Sequence, residues 1–108
     1  MLDKSELDEE LLREIASVGG GYGAKIEACM GEMERISRAL RYLRTRLSRK
    51  GKPQLLSMRL MIRLRKRFLH LREVAVENRR YLIIYREALG LLRHREVFEA
   101  YPIEKIRL

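Results

Sequence analysis

Residues 48–53 read Ser48-Arg49-Lys50-Gly51-Lys52-Pro53, the clearest turn signal between two long helical patterns. Glycine suits the position just after a helix end, and proline suits the first turn of the next helix, where an amide hydrogen has no partner. A connection this short favours antiparallel neighbours. The stretch therefore predicts the bend of a helical hairpin.

Apolar residues recur at helical spacing on both sides of this turn. In residues 22–50 and in residues 54–92 they follow the pattern of a coiled-coil seam. The first seam consists of Ile26, Cys29, Met33, Ile36, Leu40, Leu43 and Leu47, and the second of Met61, Leu64, Phe68, Leu71, Ala75, Asn78, Leu82, Tyr85, Leu89 and Leu92. If the hairpin pivots near Gly51 and Lys52, residue i faces roughly residue 103 − i.

The second helix carries a further apolar column, about 100° around the helix from the seam. Because one antiparallel partner cannot cover so wide a face, we expect a third helix or a second subunit there. The candidate oligomer face is Ile62, Leu69, Val76 and Ile83. Between the two columns lies a row of arginines, every seventh residue: Arg65, Arg72, Arg79, Arg86 and Arg93. Such arginines lay their stems on apolar surface and extend the guanidinium to water or to a carboxylate.

The N-terminal segment differs from the rest in charge. Residues 3–17 combine an apolar stripe at helical spacing with a net charge of −4, which predicts a short acidic helix. Glycines at positions 19, 20, 21 and 23 disfavour a helix, so we expect a hinge after it. Glycine amides near Lys25 also suit a phosphate, but the flanking residues do not complete a P-loop, so the hinge is the preferred interpretation.

Two paths are open to this acidic helix. It lies beside residues 86–100, where Glu10 and Glu14 meet Arg93 and Arg86, or it folds back as a third helix of a bundle. In either case it neutralises part of the arginine row and leaves the bend of the hairpin positively charged.

The middle of the chain is strongly basic. The formal net charge is +9, and residues 35–72 contain fourteen Lys or Arg and no Asp or Glu. Such a surface fits a polyanion or an acidic partner; a solvated cationic face is the alternative. The candidate residues are Arg38, Arg41, Arg44, Arg49, Lys50, Lys52, Arg59, Arg63, Lys66 and Arg67. Only Tyr42 and Phe68 are aromatic here, so we expect phosphate contacts rather than base stacking.

No motif in the chain indicates catalysis. His70 and His94 have no His or Cys at metal-ligand spacing, and no nucleophile–base pattern is recognisable, so we expect no enzyme, cofactor, metal or small-molecule substrate. Cys29, the one cysteine, allows no internal disulfide and favours an intracellular protein. No apolar run reaches bilayer length, and the polar N-terminus is not a secretory signal. We therefore expect a cytoplasmic protein that does not insert into membranes.

The sequence thus predicts one all-α domain over residues 1–108. An antiparallel hairpin of two long helices (22–50 and 54–92) is joined by a short N-terminal helix (3–17) and by a short helical turn and tail (93–108), and a homodimer completes the helical bundle. The predicted function is a non-enzymatic interaction protein, a cytoplasmic scaffold, adaptor or regulator with an acidic protein as a possible partner. The alternative is a nucleic-acid-associated protein that binds phosphates non-specifically through its basic tip.

Overall fold

The computed structural model describes residues 4–50 and 55–108, and within the first helix it describes the side chains of residues 9, 13 and 17–49. Two long helices, α1 (Lys4–Lys50) and α2 (Leu55–Ala88), precede a short helix α3 (Arg95–Ala100) and a 3₁₀ turn (Ile103–Lys105). No strand occurs among the described residues, so the all-helical class is confirmed. The predicted turn chemistry of Gly51 and Pro53 lies outside the described residues.

The two long helices pack against each other in opposite directions, which confirms the hairpin. Gly19 lies against Leu82 at one end, and Glu32 pairs with Arg67 further along, so residue numbers fall along α2 as they rise along α1. The predicted seam forms the core, whose buried side chains include Ile26, Cys29, Met33, Ile36, Leu40, Phe68, Leu71, Ala75 and Leu82. The result is a long, thin molecule that measures 73 × 26 × 15 Å.

The glycine run does not interrupt α1. The helix is continuous for 47 residues, and none of its glycines has a positive φ. The predicted separate helix over residues 3–17, the hinge after it and the folded-back path are therefore wrong. A glycine costs about 1 kcal/mol inside a helix, and packing just after the run offsets that cost. The ring of Tyr22 lies against Tyr81 and Tyr85, and Ile26 is fully buried.

Gly90 ends α2, which stops at Ala88 rather than at residue 92. The amide of Leu91 donates to the carbonyl of Arg86 at 3.0 Å, and the amide of Gly90 donates to Glu87 at 2.9 Å. These are the paired bonds of a Schellman motif. Gly90 has a φ of +84°, a region that favours glycine, and the chain reverses its direction after it.

Residues 91–108 fold back along the hairpin, and we call them the strap. Its residues Val97 and Ile103 are buried in the same core as the seam. The Ser37 hydroxyl donates to the carbonyl of Arg107 at 2.5 Å. The Tyr101 hydroxyl occupies the space that a Cβ at Gly23 would need, so glycine lets the strap approach α1 closely here. The strap therefore packs against α1 through Arg107 and Tyr101. It also bonds to Arg79 of α2.

Candidate partner-binding surface

The basic end of the hairpin comprises residues 38–49 of α1 and residues 55–67 of α2. Every Lys and Arg whose side chain is described in it is exposed to solvent. Arg67 donates through Nε and Nη2 to the Glu32 carboxylate at 3.1 and 3.2 Å, and this guanidinium lowers the pKa of Glu32. No other cation of the basic end pairs with a carboxylate among the described residues. The end therefore carries a concentrated, largely uncompensated positive charge.

The same end also exposes large apolar side chains. Leu56 is 78% exposed and Ile62 is 56% exposed. The set of exposed large apolar residues here is Tyr42, Leu55, Leu56, Met58, Leu60 and Ile62. Successive helix residues are 100° apart, so those in the first two turns of α2 surround the helix rather than line one face. Full burial of one such side chain stabilises a complex by about 1.5–3 kcal/mol, so a partner that covers them gains substantially.

An apolar groove of about 370 Å³ lies between the two helices at this end. It forms where the seam opens: Leu40 is buried, whereas Leu47 and Met61 are only half-buried. Two arginines, one from each helix, contribute to its lining. The lining residues are Leu40, Arg44, Leu47, Met58, Met61, Ile62 and Arg65. The groove thus offers an apolar floor beside two guanidinium groups.

The predicted polyanion-binding residues do not form one surface. Arg44 lines the groove, and Arg67 is occupied by Glu32. Arg38 and Arg41 instead line a depression of about 250 Å³ with Lys105 and Arg107, two strap residues that sequence reasoning did not include. Arg41 also lines a second depression, of about 420 Å³, together with Arg49. Arg59, Arg63 and Lys66 are exposed elsewhere on the basic end. The Lys50 side chain and all of Lys52 lie outside the described residues.

Two arginines of the row, Arg79 and Arg86, bond to the strap. Arg79 is buried, and its guanidinium donates to both carboxylate oxygens of Glu104 and to the carbonyl of Tyr101, the latter at 3.0 Å. Its Cζ also lies 4.6 Å from the centroid of the Phe98 ring. The hydrogen bonds from Arg79 lower the pKa of Glu104 to about 2. This arginine thus lays its stem in the core and extends to a carboxylate, as the sequence indicates for the row.

The next arginine in the row has a similar but looser environment. Arg86 Nη2 donates to the carbonyl of Arg93 at 3.2 Å and lies 4.0 Å from a carboxylate oxygen of Glu96. Arg65 and Arg72 are exposed. The side chains of Glu10 and Glu14, which the sequence places beside Arg93 and Arg86, lie outside the described residues. Among the described residues, the strap carboxylates Glu104 and Glu96 supply counter-charge to Arg79 and Arg86.

The candidate oligomer face is unevenly covered. Leu69, Val76 and Ile83 are half-buried and pack against the core, and Val76 shares a surface pocket with Ile106 and Leu108 of the strap. Ile62 is the most open member of the column. The strap therefore provides within one chain part of the third layer that the apolar column predicts, and the uncovered part lies at the basic end.

Cys29, Asn78 and His94 interact with nearby residues of the same protein. Burial, helped by the charge of Glu32, raises the pKa of the Cys29 thiol, so this cysteine behaves as a small core residue. The Asn78 amide donates to the carbonyl of Val74 in its own helix at 2.8 Å, not across the seam. His94 Nε2 lies 3.0 Å from a carboxylate oxygen of Glu87. Within the described part of the chain, no three His, Cys, Asp or Glu side chains are placed to hold a metal ion.

Comparisons of the chain with protein-family models, with curated proteins and with solved structures gave no match. In the described ranges, neither long helix contains an apolar segment sufficient to cross a bilayer. The residues and geometry above are therefore the basis for inferring what the protein does.

Proposed function

We propose that the chain is a non-enzymatic α-helical interaction protein, a cytoplasmic scaffold, adaptor or regulator that self-associates and docks acidic helical segments through its basic end. The main support is that three features occur together at the basic end: exposed apolar side chains, an apolar groove, and arginines that pair with no described carboxylate. Contiguous exposed apolar surface rimmed by polar groups is typical of protein-binding sites.

The chemistry of the basic end favours a particular kind of partner. An amphipathic helix that enters a groove contributes apolar anchors three or four residues apart. Carboxylates flanking those anchors would approach Arg44 and Arg65, while the anchors cover Met58 and Ile62. Opposite charges speed the encounter and fix the register, and burial of the anchors supplies most of the affinity. An acidic amphipathic helix therefore matches both the apolar lining and the two arginines of the groove.

A matched pair of substitutions tests this function. Ile62 and Ile84 are 56% and 54% exposed in the same helix, but only Ile62 lines the groove. We expect Ile62→Glu to abolish self-association in light scattering, because a carboxylate in the groove removes apolar contact and repels an acidic segment. Ile84→Glu changes the same charge and should leave association intact. If both variants associate like the original chain, the basic end is not the docking surface.

The second candidate function is nucleic-acid binding through phosphate contacts. Its supporting observation is the depression where Arg38 and Arg41 meet Lys105 and Arg107, which places four cations from two parts of the chain beside one carboxylate residue, Glu34. Each neutralised phosphate releases counterions, so affinity would fall steeply as salt rises.

A gel-shift titration separates the two candidates. Under the nucleic-acid hypothesis, reversal of Arg38, Arg41 and Lys105 to Glu abolishes a low-salt shift, whereas the same charge change at the exposed Arg80, Arg93 and Arg95 has a smaller effect. Ile62→Glu would retain much of this binding. Absence of any shift at low salt eliminates the second candidate.

A further inference from the structure

We propose that two copies of this chain pair antiparallel, so that the acidic N-terminal part of α1 of each copy, residues 4–18, lies in the basic, apolar groove of the other. This inference rests on the proposed function and names its partner.

The groove defines what its occupant must contain. Five of its lining residues are apolar, and the two charged ones, Arg44 and Arg65, are cations. The surrounding residues 35–72 include no Asp or Glu at all. An occupant therefore has to bring apolar side chains at helical spacing together with carboxylates, and few cations.

Residues 4–18 have this composition. Leu7, Leu11, Ile15 and Val18 follow one another at steps of four, four and three, the spacing of one helix face. Five carboxylates and two cations accompany them. The chain is helical from Lys4 onwards, Glu9 is exposed, and Val18 is 46% exposed at the end of the segment. The segment is thus the acidic amphipathic helix that the groove requires, and it belongs to the same chain.

The length of α1 prevents the segment from reaching its own groove. With 47 residues against 34 in α2, α1 is 13 residues longer, which is about 20 Å of helix. Gly19 lies against Leu82 and Tyr85, three residues before α2 ends, so the residues before it continue towards and beyond that end. The groove is at the opposite end of a 73 Å molecule, and the helix between them is continuous. The segment can therefore fill only the groove of another copy.

Symmetry then selects the arrangement. A head-to-tail contact leaves one acidic segment and one groove free at the two ends, so it grows into a filament. When two copies lie side by side in opposite directions, each segment meets the other copy's groove, and both contacts close in a two-fold dimer. This pair also brings the negative end of each molecule to the positive end of the other, which salt weakens.

Two charge-reversed full-length variants test the pairing by analytical ultracentrifugation. Arg44→Glu with Arg65→Glu reverses the groove, and Glu10→Arg with Glu14→Arg reverses the segment. We expect the original chain to dimerise and each variant alone to dissociate, with a dimer dissociation constant raised about tenfold or more because like charges meet in both contacts. An equimolar mixture of the two variants should form a heterodimer, because each segment then meets a groove of opposite charge.

A matched control variant tests for a non-specific effect of charge, and the mixture tests for misfolding of the variants. Arg80→Glu with Arg93→Glu makes the same charge change at exposed residues outside the basic end and the groove lining, and should keep the dimer. A variant that merely misfolds would not pair in the mixture. If the original chain dimerises and both reversed variants still do, the antiparallel pairing is wrong while self-association stands. A monomeric original chain overturns both, and growth into large assemblies overturns the closed pair.

Discussion

The strapped half and the basic end belong to the same two helices, yet their side chains have opposite surroundings. In the strapped half, residues 19–37 and 68–88 with the strap, the carboxylate of Glu104 meets the buried Arg79, and Ile103 joins the core. At the basic end, Leu55 and Leu56 are exposed, and the arginines other than Arg67 pair with no described carboxylate. Buried contacts are therefore concentrated in the strapped half, and exposed apolar and basic side chains at the basic end.

The largest expected contrast is between two isoleucines. Ile103 is fully buried, so Ile103→Ala should lower the free energy of unfolding by about 2–5 kcal/mol through lost burial and a new cavity. Ile62→Ala at the basic end should change it by about 0.5 kcal/mol or less in a monomeric sample. Urea unfolding of the two variants measures both. Equal losses of unfolding free energy would contradict the expectation that the strapped half contributes more to stability than the basic end.

The next contrast lies within the arginine row. Arg79→Gln should destabilise the chain by about 2 kcal/mol, because Glu104 and the Tyr101 carbonyl lose a charged donor and Phe98 loses its cation. Arg65→Gln, in the same row but exposed, should cost about 0.5 kcal/mol or less. Thermal unfolding monitored by circular dichroism distinguishes them. If Arg65→Gln proves as costly as Arg79→Gln, the strap is not what stabilises this row.

A pair of glycine substitutions tests whether α1 is continuous. At Gly20 an added Cβ meets no atom within 4 Å, so Gly20→Ala should stabilise the chain by about 1 kcal/mol through helix propensity. Gly23→Ala gains the same propensity but displaces the Tyr101 hydroxyl, so its net effect should be smaller or reversed. Chemical denaturation gives both values. A loss of stability in Gly20→Ala would restore the hinge that the sequence predicts.

The smallest expected effect is a pH dependence of the strap. Folding lowers the pKa of Glu104 to about 2, below its unfolded value of about 4.3. Its stabilising contribution is therefore complete above about pH 4.3 and is lost as the pH falls towards 2. Because this side chain is 64% exposed, we expect about 1 kcal/mol or less after solvent screening. Unfolding free energies of the original chain and of Glu104→Gln should converge between pH 4.3 and pH 2. A constant difference would contradict this assignment.

Local periodicity predicts the hairpin core well and the strap poorly. Ile26, Met33 and Leu40 recur every seven residues, so their burial follows from the sequence alone. The Arg79–Glu104 contact spans 25 residues, and no periodic pattern in residues 91–108 indicates where they fold. The predicted hinge at the glycines is wrong for a different reason. Their low helix propensity is real, but packing around Tyr22 and Ile26 outweighs it.

The candidate site divides in the same way. Charge counting identifies the basic end, but the helix geometry decides that Arg44 lines an apolar groove while Arg38 and Arg41 meet the strap. The exposure of Leu55 and Leu56 has no sequence signal, since apolar residues at helical positions are ordinarily assigned to the core. That no described element covers Leu55 and Leu56 is evident only from the three-dimensional arrangement of the helices.

The uninterrupted course of α1 has a mechanical consequence. A helix of 47 residues is a strut about 70 Å long, and its partner helix and strap brace it along most of that length. A partner bound at one end of α1 is consequently held at a fixed distance from the other end. Under the proposed function, the number of residues in this single helix would set the spacing between bound partners.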